Sequence, residues 1–165
     1  MGTNGIYSKV YVFANTTQII ELEILPGKVF AAEAGLKYWI DEGIAVETKP
    51  CNQRLQVPGA FGKILKWGKL RPENSASLIT YFTNSGQSKK RLAFAAPENR
   101  EILPIDISET NSYFMCSKNA FMCASDNVEI SIDRMSRGYD LRNYVLAQKG
   151  FIFTNVKEYA MVQIS

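Results

Sequence analysis

The sequence predicts an all-β protein built from two pseudo-repeated antiparallel sheets, packed face to face as a sandwich or flattened barrel. Three observations carry this. Apolar residues come in short bursts that alternate with polar partners, the period of a strand with one buried face. The bursts are separated by brief punctuations rich in Gly, Pro, Asn, Asp and Ser, the residues that turns require. And the pattern of the first half returns in the second. Phe30 falls on Phe114, Gly35 on Asn119, Gly43 on Asn127, and Ile44 and Val46 on Val128 and Ile130, all at one constant offset. Two turn glycines thus meet asparagine, the other residue that tolerates positive φ, so turn geometry returns rather than identity.

Taken in order, Tyr7 to Phe13 alternates loosely and reads as a first strand, broken by Ala14-Asn15-Thr16-Thr17. Gln18 to Ile24 follows, with Ile20, Leu22 and Ile24 on one face, and Leu25-Pro26-Gly27 turns the chain. Lys28 to Ala32, Leu36 to Ile40 and Ile44 to Thr48 are three further short strands. From Pro50 to Pro72 glycines and prolines interrupt the pattern, and Phe61, Ile64 and Leu65 have helical spacing, so an irregular connection with one or two helical turns is expected there. Ala76 to Thr83 and Arg91 to Ala95 are strands joined through Asn84 to Lys90, read as a hairpin. Glu101 to Asp133 reads as a β-meander. Its bursts are Leu103, Ile105 and Ile107, then Tyr113 to Cys116, Ala120 to Ala124, and Val128, Ile130 and Ile132. After a polar, basic Arg134 to Asn143, the segments Tyr144 to Gln148, Gly150 to Phe153 and Tyr159 to Ile164 close the chain. Phe82-Thr83-Asn84 recurs as Phe153-Thr154-Asn155.

The whole, residues 1–165, reads as one domain, with pseudo-repeats at about 18–97 and 101–165. The alternative is that any two β-meanders align this well once one residue of slack is allowed in a turn. The last strand is apolar and carries neither proline nor inward charge after Glu158, so it is expected to be covered, by Tyr7 to Phe13 or by another subunit.

Composition excludes more than it selects. Hydrophobic residues make up 46% and charged residues 21%, the profile of a globular chain rather than a disordered one. A net charge of +3 is too small to imply an anionic partner by itself. No apolar run reaches membrane-helix length, and no export or organelle signal is visible, so a cytoplasmic location is expected, with a mitochondrial one left open. Three cysteines, Cys51, Cys116 and Cys123, suit a reducing compartment and core packing. Histidine is absent, which removes the commonest general base and metal ligand and excludes Ser-His and Cys-His catalysis. The carboxylates Asp41-Glu42 and Asp126 with Glu129 read as solvated turns. Gly27, Gly35 and Gly43 precede no helix and form no phosphate loop. The expectation is therefore a protein that is not an enzyme, with no cofactor, no metal and no small-molecule substrate.

One patch stands out. Lys63, Lys66, Lys69 and Arg71 surround Trp67, and Lys89, Lys90 and Arg91 follow on a later loop. If they converge, they make a basic surface with an aromatic residue for stacking on nucleic acid or for insertion at an anionic lipid surface.

The succession LPGKVFAAEAGLKYWID, GIAVET, GAFGKILKWGKL, LITYFTNSG, EILPIDIS and NAFMCASDNVEI, spanning about Gln18 to Ile164, resembles the AIM24 family, also called DUF124. The resemblance implies a β-rich fold like that of the tryptophan RNA-binding attenuation protein, and bacterial members of the family have no established biochemical activity. It also implies that a third repeat often follows the second. A chain closing on two repeats would have to cover an open edge by association. The functional expectation is a structural or scaffolding protein acting by self-association as a homo-oligomer. Its alternative is a weak binder of nucleic acid or anionic lipid through the basic loop.

Overall fold

The computed structural model describes residues 7–13, 17–51, 77–97, 99–107, 114–134, 142–147 and 150–156. Its described residues form strands and no helix. The strands are β1 (Tyr7–Phe13), β2 (Thr17–Ile24), β3 (Val29–Glu33), β4 (Tyr38–Ile40), β5 (Ile44–Pro50), β6 (Leu78–Asn84) and β7 (Lys90–Ala95). They continue as β8 (Glu101–Asp106), β9 (Phe114–Ser117), β10 (Phe121–Ser125), β11 (Glu129–Arg134), β12 (Arg142–Ala147) and β13 (Phe151–Val156). Of the expected irregular Pro50 to Pro72 connection, Pro50 ends β5 and residues 52–72 lie outside the described residues, as do most of Arg134 to Asn143 and the strand expected at Tyr159 to Ile164.

All the strand pairings are antiparallel, and the sheets remain open rather than closing into a barrel. A six-stranded sheet, in the order β5-β6-β3-β10-β13-β8, is the central layer. A four-stranded sheet, β1-β2-β7-β4, packs on one of its faces through Ile20, Leu22, Ile24, Leu92 and Phe94, set against Phe30, Ala32, Phe82 and Phe153. A three-stranded sheet, β11-β12-β9, packs on the other face through Phe114, Cys116, Ile132, Tyr144 and Leu146, set against Ala31, Ile79, Phe121, Ala124 and Ile152. The sandwich predicted from alternation is therefore present twice, and the two sandwiches share the middle layer. Its inner strand β10 is buried along its whole length, because both faces and both edges are covered.

The strands do not pair as a meander. Of the successive elements β8 to β11, none hydrogen-bonds to the next: β8 lies on β13, β9 on β12, β10 between β3 and β13, and β11 on β12. Nor do β6 and β7 form the expected hairpin; β6 sits between β5 and β3, and β7 between β2 and β4. The reason is geometric. Alternation says which side chains face a core, and a turn that rounds a corner into the opposite sheet preserves that as well as a hairpin does. The β6–β7 corner is held by Asn84, whose buried side-chain amide donates to Ile24 O and Ser88 O, both at 2.8 Å, while its Oδ1 accepts from Gly86 N at 2.9 Å.

Strands β2 to β7 and β8 to β13 follow the same order. β2-β7-β4 corresponds to β8-β13-β10, and β5-β6-β3 to β11-β12-β9. The registers agree too. Leu22, Leu92 and Ile40 lie in one cross-strand row, as do Ile105, Ile152 and Ala124. Phe30, Phe82 and Val46 form another row, matched by Phe114, Leu146 and Ile130. The recurrent Phe-Thr-Asn tripeptide, in contrast, lies on strands that do not correspond, β6 and β13.

The halves meet where β3 pairs with β10, with Ala32 opposite Cys123, Ala31 opposite Ala124 and Phe30 opposite Ser125. Beside this seam Glu33 of β3 accepts a short hydrogen bond from the Tyr144 hydroxyl of β12, and Lys118 Nζ stands 3.6 Å from its other oxygen. Burial raises the Glu33 pKa above the ordinary carboxylate value, against the opposing pull of Tyr144 and Lys118. Burial also drives the Tyr144 phenol far upward, and it pushes the Cys51 and Cys116 thiols up to about 12, with the Glu33 charge adding to each.

Two measurements test this account. Phe82 is fully buried and makes edge-on ring contacts with Tyr38 and Phe94 at 4.9 and 5.2 Å, so Phe82→Ala is expected to cost about 3–5 kcal/mol in urea unfolding. The exposed Val46→Ala should stay within about 0.5 kcal/mol. The second concerns pH. Because the folded chain holds the Glu33 proton more tightly than the unfolded chain does, this contribution is full below about pH 4 and is lost as pH rises through the raised native value. The stability of the parent protein relative to Glu33→Gln should accordingly fall as pH increases across that window; a difference that rises or stays flat would contradict the assignment.

Candidate functional site

Of the residues singled out as a basic surface, Lys63, Lys66, Trp67, Lys69 and Arg71 lie outside the described residues. Lys90 and Arg91 open β7 and Lys89 directly precedes it, and the three charges do not converge. Successive strand residues point to opposite faces. Lys89 and Arg91 share the outer face of the four-stranded sheet, while Lys90 turns toward the corner glycines, its Cε 3.4 Å from where a Cβ on Gly43 would stand.

The two outward cations are met by acids. Lys89 Nζ is 2.8 Å from Glu23 Oε2, and Arg91 Nε is 3.5 Å from Asp41 Oδ2. That carboxylate also accepts the Arg91 backbone N–H at 2.7 Å. The Arg91 guanidinium stacks 5.3 Å above the Trp39 ring, a cation–π contact on the sheet surface. Local charge is therefore close to balanced around Lys89 and Arg91. Of the other turn carboxylates, Asp126 pairs with Lys28 at 3.5 Å.

Next to this stack the outer face carries a shallow apolar trough of about 420 Å³, lined by Ile19, Glu21, Lys37, Tyr38, Trp39, Ala93, Phe94 and Ala95. Its floor is low because β7 contributes only alanines outward at 93 and 95. Its wall is Trp39, half exposed on the edge strand β4. Tyr38 and Trp39 are the most exposed large apolar residues among those described, and they are neighbours in β4, a sheet margin among the described residues, with Trp39 on the outer face and the Tyr38 ring against Phe82. Sequence reasoning passed over Trp39, because an aromatic in a short strand reads as core by default. Only the placement of β4 at a sheet margin makes it surface.

The cysteines are packing residues in separate cores: Cys123 lies between the central and four-stranded sheets, Cys116 between the central and three-stranded sheets. Among the described residues no group of three or more Cys, Asp or Glu side chains is arranged to hold a metal ion. No helix of the described residues is long and apolar enough to cross a membrane.

Comparison with known proteins agrees with this architecture. No curated protein matches the chain. Among solved structures it is similar to a Streptococcus pyogenes protein determined by X-ray crystallography, with a TM-score of 0.63 at 16% identity, over 92% of this chain and 65% of that one. The chain thus spans 65% of the length of that structure, and the likeness concerns the fold. The model of one family, described as Mitochondrial biogenesis AIM24, matches residues 11–165. With that match running over nearly its whole length, the chain belongs to the AIM24 family.

Proposed function

We propose that this protein is a non-enzymatic structural component that works by associating with further copies of itself. The observation that carries the reading is the margin strand β4, where Tyr38 and Trp39, the most exposed large apolar residues among those described, stand half exposed beside an apolar trough. Half-exposed aromatics on the two faces of a strand at a sheet margin leave apolar area that water solvates poorly and that an added strand would help cover. The absence of histidine from the sequence and the pairing of Lys89 and Arg91 with carboxylates favour this reading over acid–base chemistry or an anion site.

The matching strand orders and registers further support treating the two halves as copies of one unit, about 18–97 and 101–165, that already dock on each other within the chain. Self-association would extend the same contact between chains. Light scattering over a wide concentration range tests the proposal. The expected result is a mass above that of one chain that rises with concentration; a strict monomer at high concentration would overturn it.

A further inference from the structure

The fold contains a template for its own assembly. Inside the chain, the outer strand of one half's second sheet, β3, pairs with the outer strand of the other half's first sheet, β10. The counterparts of these strands are β9 and β4, and both are sheet margins among the described residues. The geometry points to a head-to-tail contact in which β9 of one copy adds to β4 of the next, as β3 adds to β10 within the chain. This rests on the self-association reading and names its surface.

Four observations carry it. The first is burial. By pairing register, and across a bulge in β10, the residues that stand where Tyr38 and Trp39 do are Phe121 and Cys123, 1% and 0% exposed, whereas Tyr38 and Trp39 are 50% and 51% exposed. β10 is covered on both faces and both edges, whereas β4 is covered on one face and one edge among the described residues. Second, the outer margins of the central sheet are blunted by proline, Pro50 in β5 and Pro104 in β8. Proline cannot donate to an added strand, and β4 and β9 contain none.

Third, the hydrogen-bonding parity fits. In β3, Ala34 N donates to Leu78 O and Asn84 N donates to Lys28 O, so the even residues face β6 and Ala31 faces β10. Ala31–Ala124 is then the hydrogen-bonded pair of the seam, and Ala32–Cys123 the non-hydrogen-bonded one. Transferred to the free edges, Ile40 must direct its N–H and C=O outward and pair with Met115, while Trp39 stands opposite Cys116. The bonds of β4 agree independently. Asp41 N donates to Arg91 O and Ala95 N to Lys37 O, which turns residues 37 and 41 toward β7 and leaves Tyr38 and Ile40 directed at the open side. Fourth, both partner surfaces are apolar where they meet, Tyr38, Trp39 and Ile40 against Phe114, Met115 and Cys116.

A non-hydrogen-bonded antiparallel pair holds its Cα atoms about 4.5 Å apart, within reach of a disulfide. Trp39→Cys, treated with a mild oxidant, is therefore expected to form an interchain disulfide to the native Cys116. The products should form a ladder of dimers, trimers and longer chains, since every copy carries one edge of each kind. The ladder should vanish in Trp39→Cys/Cys116→Ser. Ile40→Pro removes one outward donor without breaking the bonds to β7, and it should weaken association at least about ten-fold in sedimentation equilibrium, the order of one lost and unmatched hydrogen bond. Val46→Pro, on the outward-facing parity of β5, should leave association unchanged. A cross-link that survives Cys116→Ser, or an Ile40→Pro variant that associates as strongly as the parent, would overturn the β4–β9 contact while self-association stands. A parent protein that never leaves the monomer would overturn both.

Discussion

The antiparallel seam between β3 and β10 is the constraint on which the rest of the structure depends. It turns two separate three-stranded sheets into one six-stranded layer, and each hydrophobic core packs on a face of that layer. Two of the three seam pairs are small on both sides, Ala31 with Ala124 and Ala32 with Cys123. Large side chains on both faces at this line would hold the outer sheets away from the middle one and leave voids that cost stability. Compact residues let Phe30, Phe82 and Phe153 fill one side while Phe121, Tyr144 and Ile152 fill the other.

Polar groups secure the places where apolar packing cannot specify direction. Asn84 holds the β6–β7 corner by bonding three backbone groups, which leaves its buried amide satisfied. In the other half Asn155 is buried and accepts from Arg100 Nη1 at 2.8 Å, and the same guanidinium nitrogen reaches Asn119 O at 3.1 Å. Glu33 and Tyr144 tie β3 to the three-stranded sheet across the seam, so the hydrogen bond joins the two halves and not merely two strands. Close approach sets a further limit at Gly150, where a Cβ would stand 2.5 Å from both Ser125 Oγ and Val128 Cγ2. These contacts select one arrangement of short strands that could otherwise slide.

The surface chemistry follows from the same layering. A face that in one half is sealed by another sheet is, in the other half, the outside of the molecule. It carries Lys89 paired with Glu23 and Arg91 paired with Asp41, around a strip of small apolar residues and the Trp39 ring. Such a face is soluble enough to exist uncovered, yet its margin at β4 is left apolar.

The sequence by itself determined the secondary-structure class, most of the strand positions and most of the inward-facing residues. In β8, though, it is Ile102 that is buried, while Leu103, which alternation set on one face with Ile105 and Ile107, is exposed. Alternation such as Ile20-Leu22-Ile24 is a local record of which side chains leave water. It also carried the correspondence of Phe30 with Phe114 and Val46 with Ile130, because turn residues and core positions are both written at fixed spacing. Tertiary structure alone decided which strand lies beside which. Pairing is a long-range choice among backbones that all offer the same donors and acceptors, so the meander and the β6–β7 hairpin could not be told from corners that cross between sheets. The Glu33–Tyr144 bond, separated by 111 residues, and the stacking of Arg91 on Trp39 likewise leave no local trace. The basic residues 89 to 91 read as one cluster along the chain. The two-residue period of the strand sent them to opposite faces, and neighbouring acids from β2 and the β4–β5 turn neutralised the outward pair.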